Sequence, residues 1–356
     1  MHIPYSLLLA LATAGVVALL MPLVMRLAHR VGAIDEPGPR RVHQAAIPTM
    51  GGLAMALAVL GVAWIARWLP GPAGLLDARP LVGLTLACVP VLALGVIDDT
   101  RGVSPWVKLA IQTCAALVLY LFGYGIPLLT NPLGGAIASG WLNVPLTVIW
   151  VLAVINAINL IDGMDGLAAG VVLIASGTLW VLGRVHGDLY VMFGSALLVG
   201  ATLGFLRFNF PPARVFMGDT GSHFLGLALA AGSLLENRKG TATVTLLFPL
   251  VALSVPMADS AFTFLRRLKR GQPVFAADSA HVHHRLLRLG LGPRRTLFVL
   301  WGVSAACGGL AIVLAAAPRN LAIVATAVLA LALFVAIHLT GDRRRPNSGG
   351  GGRLSR

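Results

Sequence analysis

The sequence predicts an all-α integral membrane protein with about 10–11 transmembrane helices. Hydrophobic residues make up 57% of the 356 positions and charged residues only 11%, whereas soluble domains carry roughly 25% charged residues. Apolar runs recur along the chain at the length of about 20 residues that a helix needs to cross a bilayer. Lysines and arginines concentrate in alternate connections between these runs, as expected for a polytopic protein.

The predicted helices follow the apolar runs in order. They cover residues 4–25, 49–69, 80–97, 106–128, 141–158, 166–185, 188–206, 220–236, 242–265, 297–316 and 320–340. A short hairpin near His186 leaves the number open by one or two. We expect residues 1–341 to form one transmembrane domain and residues 342–356, which are rich in glycine and arginine, to form a disordered cytoplasmic tail.

The distribution of basic residues predicts the orientation. With the N-terminus outside and the C-terminus in the cytoplasm, 21 of the 27 lysines and arginines face the cytoplasm. The formal net charge of +14 could suggest a nucleic acid partner, but the excess lies in loops next to the membrane. We therefore expect no nucleic acid, and instead anionic lipid headgroups and anionic substrates.

The most polar stretch at the end of an apolar run is 156–167. It carries two amides, Asn156 and Asn159, and two carboxylates, Asp162 and Asp165, which would be costly groups if lipid were their only neighbour. On a helix, Asn156 and Asn159 share a face with Gly163, and the carboxylates lie on a neighbouring face. Oxygen ligands of this kind suit Mg²⁺ and a phosphorylated ligand. The alternative is a polar helix end at the membrane surface.

The third apolar run ends in Asp98 and Asp99. Adjacent residues on a helix point about 100° apart, so two separate roles are predicted, unless the helix ends there. A helix C-terminus disfavours carboxylates, which argues against a merely solvated helix end. Lys108 begins the next helix on the same side, where it could hold a phosphate or act only as a topology signal.

Two further helix starts carry candidate site residues. Asp219 opens an apolar helix as a metal ligand or as a simple cap, and nearby Phe216 is a core residue or a ring that stacks on a base. Thr49 is a predicted N-cap, and exposed amides beside Gly51 and Gly52 suit an anion. The alternative there is an ordinary capped helix start followed by a basic loop.

The longest loop contains the motif 281–285. His281 and His284 share a predicted helix face with Arg288, and Arg285 lies alongside. Zinc is disfavoured because no cysteine or acidic residue stands at the usual spacing and the surrounding basic residues would repel a cation. Donors to phosphate or sugar oxygens fit this composition better.

All these polar clusters lie on the cytoplasmic side under an orientation chosen from basic residues alone. Their combination of carboxylates and fixed cations suits a divalent metal that holds a polyanion. We therefore predict one composite site at this face of the membrane.

These motifs resemble those of the polyprenyl-phosphate N-acetylhexosamine-1-phosphate transferase family. The resemblance runs from Pro48 to Arg288. It rests on Pro-Thr-Met-Gly-Gly, the Asp-Asp pair, Asn-x-x-Asn-x-x-Asp-Gly-x-Asp-Gly-Leu, Phe-Met-Gly-Asp-Thr-Gly-Ser and His-x-His-His-Arg. The last motif is similar to that of the amino-sugar branch.

The resemblance implies an enzyme of the bacterial cytoplasmic membrane. It would transfer N-acetylglucosamine 1-phosphate, or a related amino-sugar phosphate, from a UDP-sugar to undecaprenyl phosphate, releasing UMP and starting the synthesis of a cell-envelope polysaccharide. Mg²⁺ is the implied cofactor, with Mn²⁺ as a substitute, and a homodimer is left open. The rival functions are a transporter or lipid flippase for polyanions and a nonenzymatic scaffold.

The resemblance also implies a role for each matching residue. Asp219 would be the principal Mg²⁺ ligand with Asn159 beside it. Asp98 and Asp99 would bind or deprotonate the lipid phosphate and help place the metal, and Lys108 would hold phosphate oxygens. Phe216 would stack on uracil, and Asn209 and Asp165 would contact the nucleoside. The remaining predicted substrate-binding residues are Asp162, Thr49, Gly51, His281, His283, His284 and Arg285.

Overall fold

A computed structural model of the protein describes residues 2–36, 46–130, 136–236, 286–287 and 289–315, and five single residues between 317 and 328. The described residues form nine α-helices and two short antiparallel hairpins. The helices are α1 (His2–Val31), α2 (Gly51–Trp68), α3 (Arg79–Arg101), α4 (Pro105–Leu121), α5 (Asn143–Ile161), α6 (Leu167–Val185), α7 (Leu189–Asn209), α8 (Gly218–Glu236) and α9 (Pro293–Ala315).

The two hairpins connect helices. Strand β1 (Ile34–Asp35) pairs with β2 (Ile47–Pro48) between α1 and α2. Strand β3 (Leu128–Thr130) pairs with β4 (Ala136–Ala138) between α4 and α5.

The prediction of an all-α, multi-pass membrane fold is confirmed. Nine predicted apolar runs each coincide with one described helix, and seven of these helices, all except α4 and α8, are long and apolar enough to cross a membrane. The run 242–265, most of the run 320–340 and the tail 342–356 lie outside the described residues. The orientation of the termini stays a prediction.

Helix α8 lies at the centre of the bundle. It packs against α2, α3, α5, α6 and α7, and nearly all its residues are buried. Leu227, Leu229 and Leu234 are fully enclosed by these neighbours. The N-terminus of α8 is therefore the point around which the other helix ends are arranged.

Local sequence signals explain where the helices end. Gly102, with φ of 73°, follows the last residue of α3, and Pro105 occupies the first position of α4, where a missing backbone N–H costs nothing. Asp188 caps α7 because its carboxylate accepts hydrogen bonds from the amides of Tyr190 and Val191 at 2.9 and 3.2 Å. The predicted hairpin near His186 therefore separates two distinct helices, α6 and α7.

Four connections meet at one end of the bundle, which we call the loop face. They are the described parts of 32–50, and segments 102–104, 162–166 and 210–217. The amide of Phe216 donates to the carbonyl of Pro48 at 2.9 Å, and the amide of Gly166 donates to Oδ1 of Asn209 at 2.9 Å. Segments far apart in the sequence are thus fixed against one another by direct hydrogen bonds.

Candidate active site

Asp219 occupies the first turn of the central helix and contacts two other helices. Its Oδ2 accepts a hydrogen bond from Nζ of Lys108 on α4 at 2.5 Å, and its Oδ1 accepts one from Nδ2 of Asn159 on α5 at 3.0 Å. Asn159 also donates to Oγ of Ser222 at 2.9 Å. The carboxylate of Asp219 therefore faces a polar pair, which disfavours the alternative of a simple cap on its own helix.

Asp99 on α3 supplies the cap of α8 instead. Its carboxylate accepts hydrogen bonds from the amide of Asp219 at 2.7 Å and from the amide and hydroxyl of Thr220 at 3.2 and 2.7 Å. A negative charge at a helix N-terminus is favoured by the unpaired amides and by the helix dipole. Asp99 therefore fixes the helix start that presents Asp219.

Asp98 makes a different set of contacts. Helix α3 continues to Arg101, so it does not end at the carboxylate pair, and the two side chains diverge. Asp98 accepts hydrogen bonds from the amide of Val103 and from Nζ of Lys108, each at 2.7 Å. The two predicted separate roles thus correspond to separate contacts, and Lys108 bridges Asp98 and Asp219.

Glycines allow this close approach of helices. A Cβ at Gly95 on α3 would overlap the backbone of Thr220, and a Cβ at Gly52 on α2 would overlap the backbone of Gly221. Both positions therefore exclude larger residues for packing reasons. The start of α8 is held against α2 and α3 at backbone contact.

The start of α2 differs from the prediction. Met50, with φ of 68° and no capping hydrogen bond, precedes the helix, and the hydroxyl of Thr49 donates to the carbonyl of Ala33 at 3.0 Å. The prediction that Thr49 caps α2 is wrong because its hydroxyl joins the hairpin instead. The amides of Gly51 and Gly52 donate to the carbonyls of Phe216 and Met217 at 2.9 and 3.0 Å, so they are not free for an anion.

The end of α5 also differs from the prediction. The helix ends at Ile161, so Asp162 and Asp165 lie in the loop 162–166 and do not share a helix face. Asp165 accepts a hydrogen bond from the amide of Ala213 at 2.9 Å, which joins this loop to segment 210–217. Asn156 remains on the helix but contacts α4 and takes no part in the group around Asp219.

The pKa of Asp162, in the loop 162–166, is shifted by its surroundings. Burial against the surrounding protein, followed by the negative charges of Asp219, Asp99 and Asp165, raises the pKa of Asp162 well above its ordinary value. The carboxylate therefore adds negative charge to the group around Asp219, which Lys108 neutralises only in part.

Asn209 is a buried connector at the end of α7. It is 3% exposed, its Oδ1 accepts from the amide of Gly166, and its Nδ2 donates to the carbonyl of Val215, both at 2.9 Å. Both ends of the amide are therefore occupied by backbone groups. The predicted contact of Asn209 with a nucleoside stays a prediction.

A cavity of about 1300 Å³ opens among these groups. Residues from five sequence regions line it, including Thr49, Asp99, Asn159, Asp162, Asp165, Asn209, Phe216, Asp219 and Leu287. Leu287 follows directly on the histidine-rich loop. His281, His283, His284 and Arg285 themselves lie outside the described residues, and their roles stay predictions.

Three residues of the cavity wall were not singled out from the sequence. Arg294 and Arg295, in the first turn of α9, and Asp35, in β1, border the cavity, and Nη2 of Arg294 donates to the carbonyl of Pro211 at 3.1 Å. The two arginines counted only toward topology in the sequence. Their position directly before an apolar run on the loop face was the available signal.

The composition of the site fits a hard cation. Asp98, Asp99, Asp162 and Asp219 lie within one cluster, and Lys108 is the cation that contacts it among the described residues. No group of three or more His, Cys, Asp or Glu side chains is arranged to hold a metal in the described part of the chain. Mg²⁺ keeps several waters and often takes only one or two carboxylates together with substrate phosphates, so this composition is compatible with the ion, and the roles of Asp219 and Asn159 as its ligands stay predictions.

A bundle of apolar helices with a carboxylate-rich cavity at one end defines a multi-pass membrane protein with a site for charged substrates. The family model described as glycosyl transferase family 4 matches residues 81–236. The probable undecaprenyl-phosphate N-acetylglucosaminyl 1-phosphate transferase of Bacillus subtilis is 35% identical over 91% of this chain and 89% of its own length. The decaprenyl-phosphate N-acetylglucosaminephosphotransferase of Mycobacterium leprae is 36% identical over 91% of this chain and 87% of its own length.

A third relative extends the comparison. The undecaprenyl-phosphate alpha-N-acetylglucosaminyl 1-phosphate transferase of Escherichia coli is 30% identical over 79% of this chain and 76% of its own length. The chain belongs to glycosyl transferase family 4, within the group of polyprenyl-phosphate amino-sugar phosphate transferases. The resemblance inferred from the motifs is thus confirmed.

Proposed function

We propose that this protein transfers N-acetylglucosamine 1-phosphate from a UDP-sugar to a polyprenyl phosphate such as undecaprenyl phosphate, releasing UMP. One observation carries the proposal. Direct hydrogen bonds join Asp98, Lys108, Asp219 and Asn159, and the last two of these residues line the cavity. The relatives are named for this transfer to undecaprenyl or decaprenyl phosphate.

The acceptor phosphate binds beside Lys108 in this proposal. The lysine lies near the start of α4, and its side chain is 24% exposed, so a headgroup that arrives from the bilayer can reach the ammonium group. Asp98 orients Lys108 through their 2.7 Å contact. A lysine of this kind holds phosphate oxygens as a point charge.

The UDP-sugar occupies the cavity. A volume of about 1300 Å³ exceeds the 300–1,000 Å³ that is usual for a single small ligand, which leaves room for a nucleotide sugar and a lipid headgroup together. Phe216 offers its ring to uracil, and Asp165 borders the nucleoside. Arg294 and Arg295 bring positive charge to the wall that faces the diphosphate.

The reaction is a direct phosphoryl transfer. A lipid phosphate oxygen attacks the β-phosphorus, and the bond from that phosphorus to the bridging oxygen breaks as UMP leaves. A phosphate monoester has a second pKa near 6, so the acceptor needs no strong general base at neutral pH. Mg²⁺ held by Asp219 and Asn159 would neutralise the charge of the diphosphate oxygens, and Mn²⁺ is expected to substitute.

Purified protein supplied with undecaprenyl phosphate, Mg²⁺ and a panel of UDP-amino sugars tests the proposal. We expect UMP release and a lipid diphosphate sugar with UDP-N-acetylglucosamine, and loss of both with a chelator. In Asp219→Ala we expect turnover to decrease about 10²–10³-fold, as for removal of a group that stabilises transferred charge. Asp188→Asn, which retains a capping side chain at the far end of the bundle, is the matched control. Full turnover by Asp219→Ala would refute the metal assignment.

The same assay separates the rival functions and mechanisms. A transporter or flippase moves its substrate without releasing UMP. A covalent aspartyl intermediate would leave a phosphorylated protein after incubation with the UDP-sugar alone, whereas direct attack leaves none.

The proposal also includes a location. We place the enzyme in the bacterial cytoplasmic membrane, with the loop face in the cytoplasm where UDP-sugars are made. The downstream role in cell-envelope polysaccharide synthesis and the homodimer stay predictions.

A further inference from the structure

A second layer of polar side chains lies one helical turn below the group around Asp219. Gln112 follows Lys108 by four residues on α4, His223 follows Asp219 by four on α8, and Asn156 precedes Asn159 by three on α5. Helices α4 and α8 run away from the loop face and α5 runs toward it. Gln112, His223 and Asn156 therefore all lie deeper in the bundle than the residues of the upper layer. At 1.5 Å per residue, each side chain lies about 4.5–6 Å deeper than its partner in the upper layer.

The second layer is enclosed but incompletely hydrogen-bonded. Nδ2 of Asn156 donates to Oε1 of Gln112 at 2.9 Å and to the carbonyl of Leu152 at 2.8 Å. Gln112 and His223 are each 1% exposed. Nε2 of Gln112 and Nδ1 of His223 have no hydrogen-bond partner among the described residues.

His223 connects the two layers. Its Nε2 lies 3.8 Å from Oδ2 of Asp219, so the imidazole borders the carboxylate at a distance beyond a direct hydrogen bond. A buried polar atom without a partner carries a desolvation penalty, and Nε2 of Gln112 and Nδ1 of His223 are two such atoms, each one turn below a residue that contacts the other in the upper layer. A water molecule that finds two to four polar partners can be held in a protein interior, and it would relieve the penalty at both atoms.

We infer that Gln112 and His223 hold an ordered water molecule beneath Asp219, and that His223 is a positioning residue for the Asp219 carboxylate. Asn156 orients Gln112 because its amide donates to Oε1 of Gln112, which leaves Nε2 of Gln112 for another partner. The water site stands on the contacts alone, whereas the positioning role rests on the proposed function.

Substitutions that keep volume but remove polarity test the positioning role. In His223→Met we expect the Mg²⁺ concentration for half-maximal activity to rise about tenfold or more, the usual effect of losing a group behind a metal ligand. The KM for the UDP-sugar at saturating Mg²⁺ should change less than about twofold, because His223 acts through Asp219 in this proposal. His223→Gln, which retains a donor and an acceptor, should restore the Mg²⁺ dependence. His186→Met makes the same exchange at an exposed site at the other end of the bundle and should behave as wild type.

The melting temperature distinguishes positioning from support of the fold. Replacing a poorly paired buried polar group by an apolar group of similar shape is close to neutral for stability, so His223→Met should melt at or above the wild-type temperature. Gln112→Met should shift the Mg²⁺ dependence in the same direction, and the double variant should be no worse than the stronger single variant because both act through one water. An unchanged Mg²⁺ dependence in His223→Met, or additive effects of the two substitutions, would overturn the inference.

A direct observation of the water keeps the test independent of activity. A high-resolution structure of the wild-type protein should show density within hydrogen-bond distance of both Nε2 of Gln112 and Nδ1 of His223. Empty space there would refute the water site even if every variant were inactive or unfolded. If the wild-type protein releases no UMP, the proposed function fails, and the density still decides the water site.

Discussion

At the scale of single residues, the site is organised by what each carboxylate contacts. Asp99 caps the central helix, Asp98 holds Lys108 and a loop amide, and Asp219 faces Lys108 and Asn159. The sequence predicted separate roles for Asp98 and Asp99 from their angular separation, but it could not identify Asp99 as a cap. The amide of Asp219 that Asp99 caps lies 120 residues later in the chain, and local sequence contains no signal of that pairing.

The contrast between Asp98 and Asp99 leads to a prediction about stability. Asp99→Ala removes the acceptor for two amides and one hydroxyl, so we expect about 1–2 kcal/mol less stability, as for loss of an N-cap, together with loss of turnover. Asp98→Ala should also lose turnover but retain the cap of α8. Melting temperatures in detergent, measured beside turnover for both variants, check this. A wild-type melting temperature in Asp99→Ala would show that Asp99 is not a structural cap.

Asp162 leads to a prediction about pH. Its pKa is raised in the folded protein by burial and by neighbouring carboxylates, so the folded state binds the proton more tightly than the unfolded chain, whose aspartate pKa is about 3.9. Stability is therefore lost as the pH rises through the folded pKa of Asp162. Asp162→Asn should melt above wild type at neutral pH in the presence of a chelator, with the difference vanishing below about pH 4.

Melting curves across this pH range test that expectation. Asp77→Asn, an exposed residue far from the cluster, is the matched control and should follow wild type. Because Asp162 borders the cavity, the stabilised Asp162→Asn variant should have reduced turnover. If the difference in melting temperature between Asp162→Asn and wild type did not depend on pH, the pKa of Asp162 would not be raised in the folded protein.

At the scale of elements, the fold was predictable where apolar length decides it. Nine runs matched described helices because a span of about 20 apolar residues has few alternatives in a membrane. Helix ends were harder to predict. Thr49 looked like a cap of α2, and the polar stretch after Asn159 looked helical, because tertiary hydrogen bonds to Ala33 and Ala213 are not encoded in local sequence.

The packing of α2 against α8 gives a prediction with an internal control. Gly52→Ala places a methyl group into the backbone of Gly221, so α8 must shift, at a cost of about 1–3 kcal/mol as for other overpacked cores. The shift displaces Asp219, and turnover should fall together with the melting temperature. Gly61→Ala on the same helix meets nothing within 4 Å and should be neutral or slightly stabilising, since alanine is the better helix former.

Comparing Gly52→Ala with Gly61→Ala separates the effect of helix packing on stability from the effect of alanine's higher helix propensity. Restoration of turnover in Gly52→Ala by raising Mg²⁺ would indicate that displacement of Asp219 is the main defect. A wild-type melting temperature in Gly52→Ala would contradict the close contact of α2 and α8.

At the scale of the whole molecule, basic residues predicted that distant polar motifs share one face, and direct hydrogen bonds join the described motifs at the loop face. The shared face follows because the topology of a bundle brings alternate connections to the same end, whereas the cytoplasmic orientation inferred from basic residues stays a prediction. The distribution of basic residues could not predict which side chains contact one another within the site. The positions of Arg294 and Arg295 on the cavity wall and the polar layer below Asp219 depend on which helices are neighbours, which the sequence does not state.

The last prediction concerns the orientation of this bundle in the membrane. In a chain whose three native cysteines are replaced by serine, single cysteines at Ser104 and Arg214 on the loop face should react with a membrane-impermeant maleimide only after cells are opened. Cysteines at Leu75, Trp141 and His186, all exposed at the opposite end, should react in intact cells. The positive-inside distribution requires this pattern because basic loops are retained in the cytoplasm. An inverted pattern would refute the N-out orientation while leaving the composite site intact, whereas a mixed pattern within either group would show that the loops do not share one face.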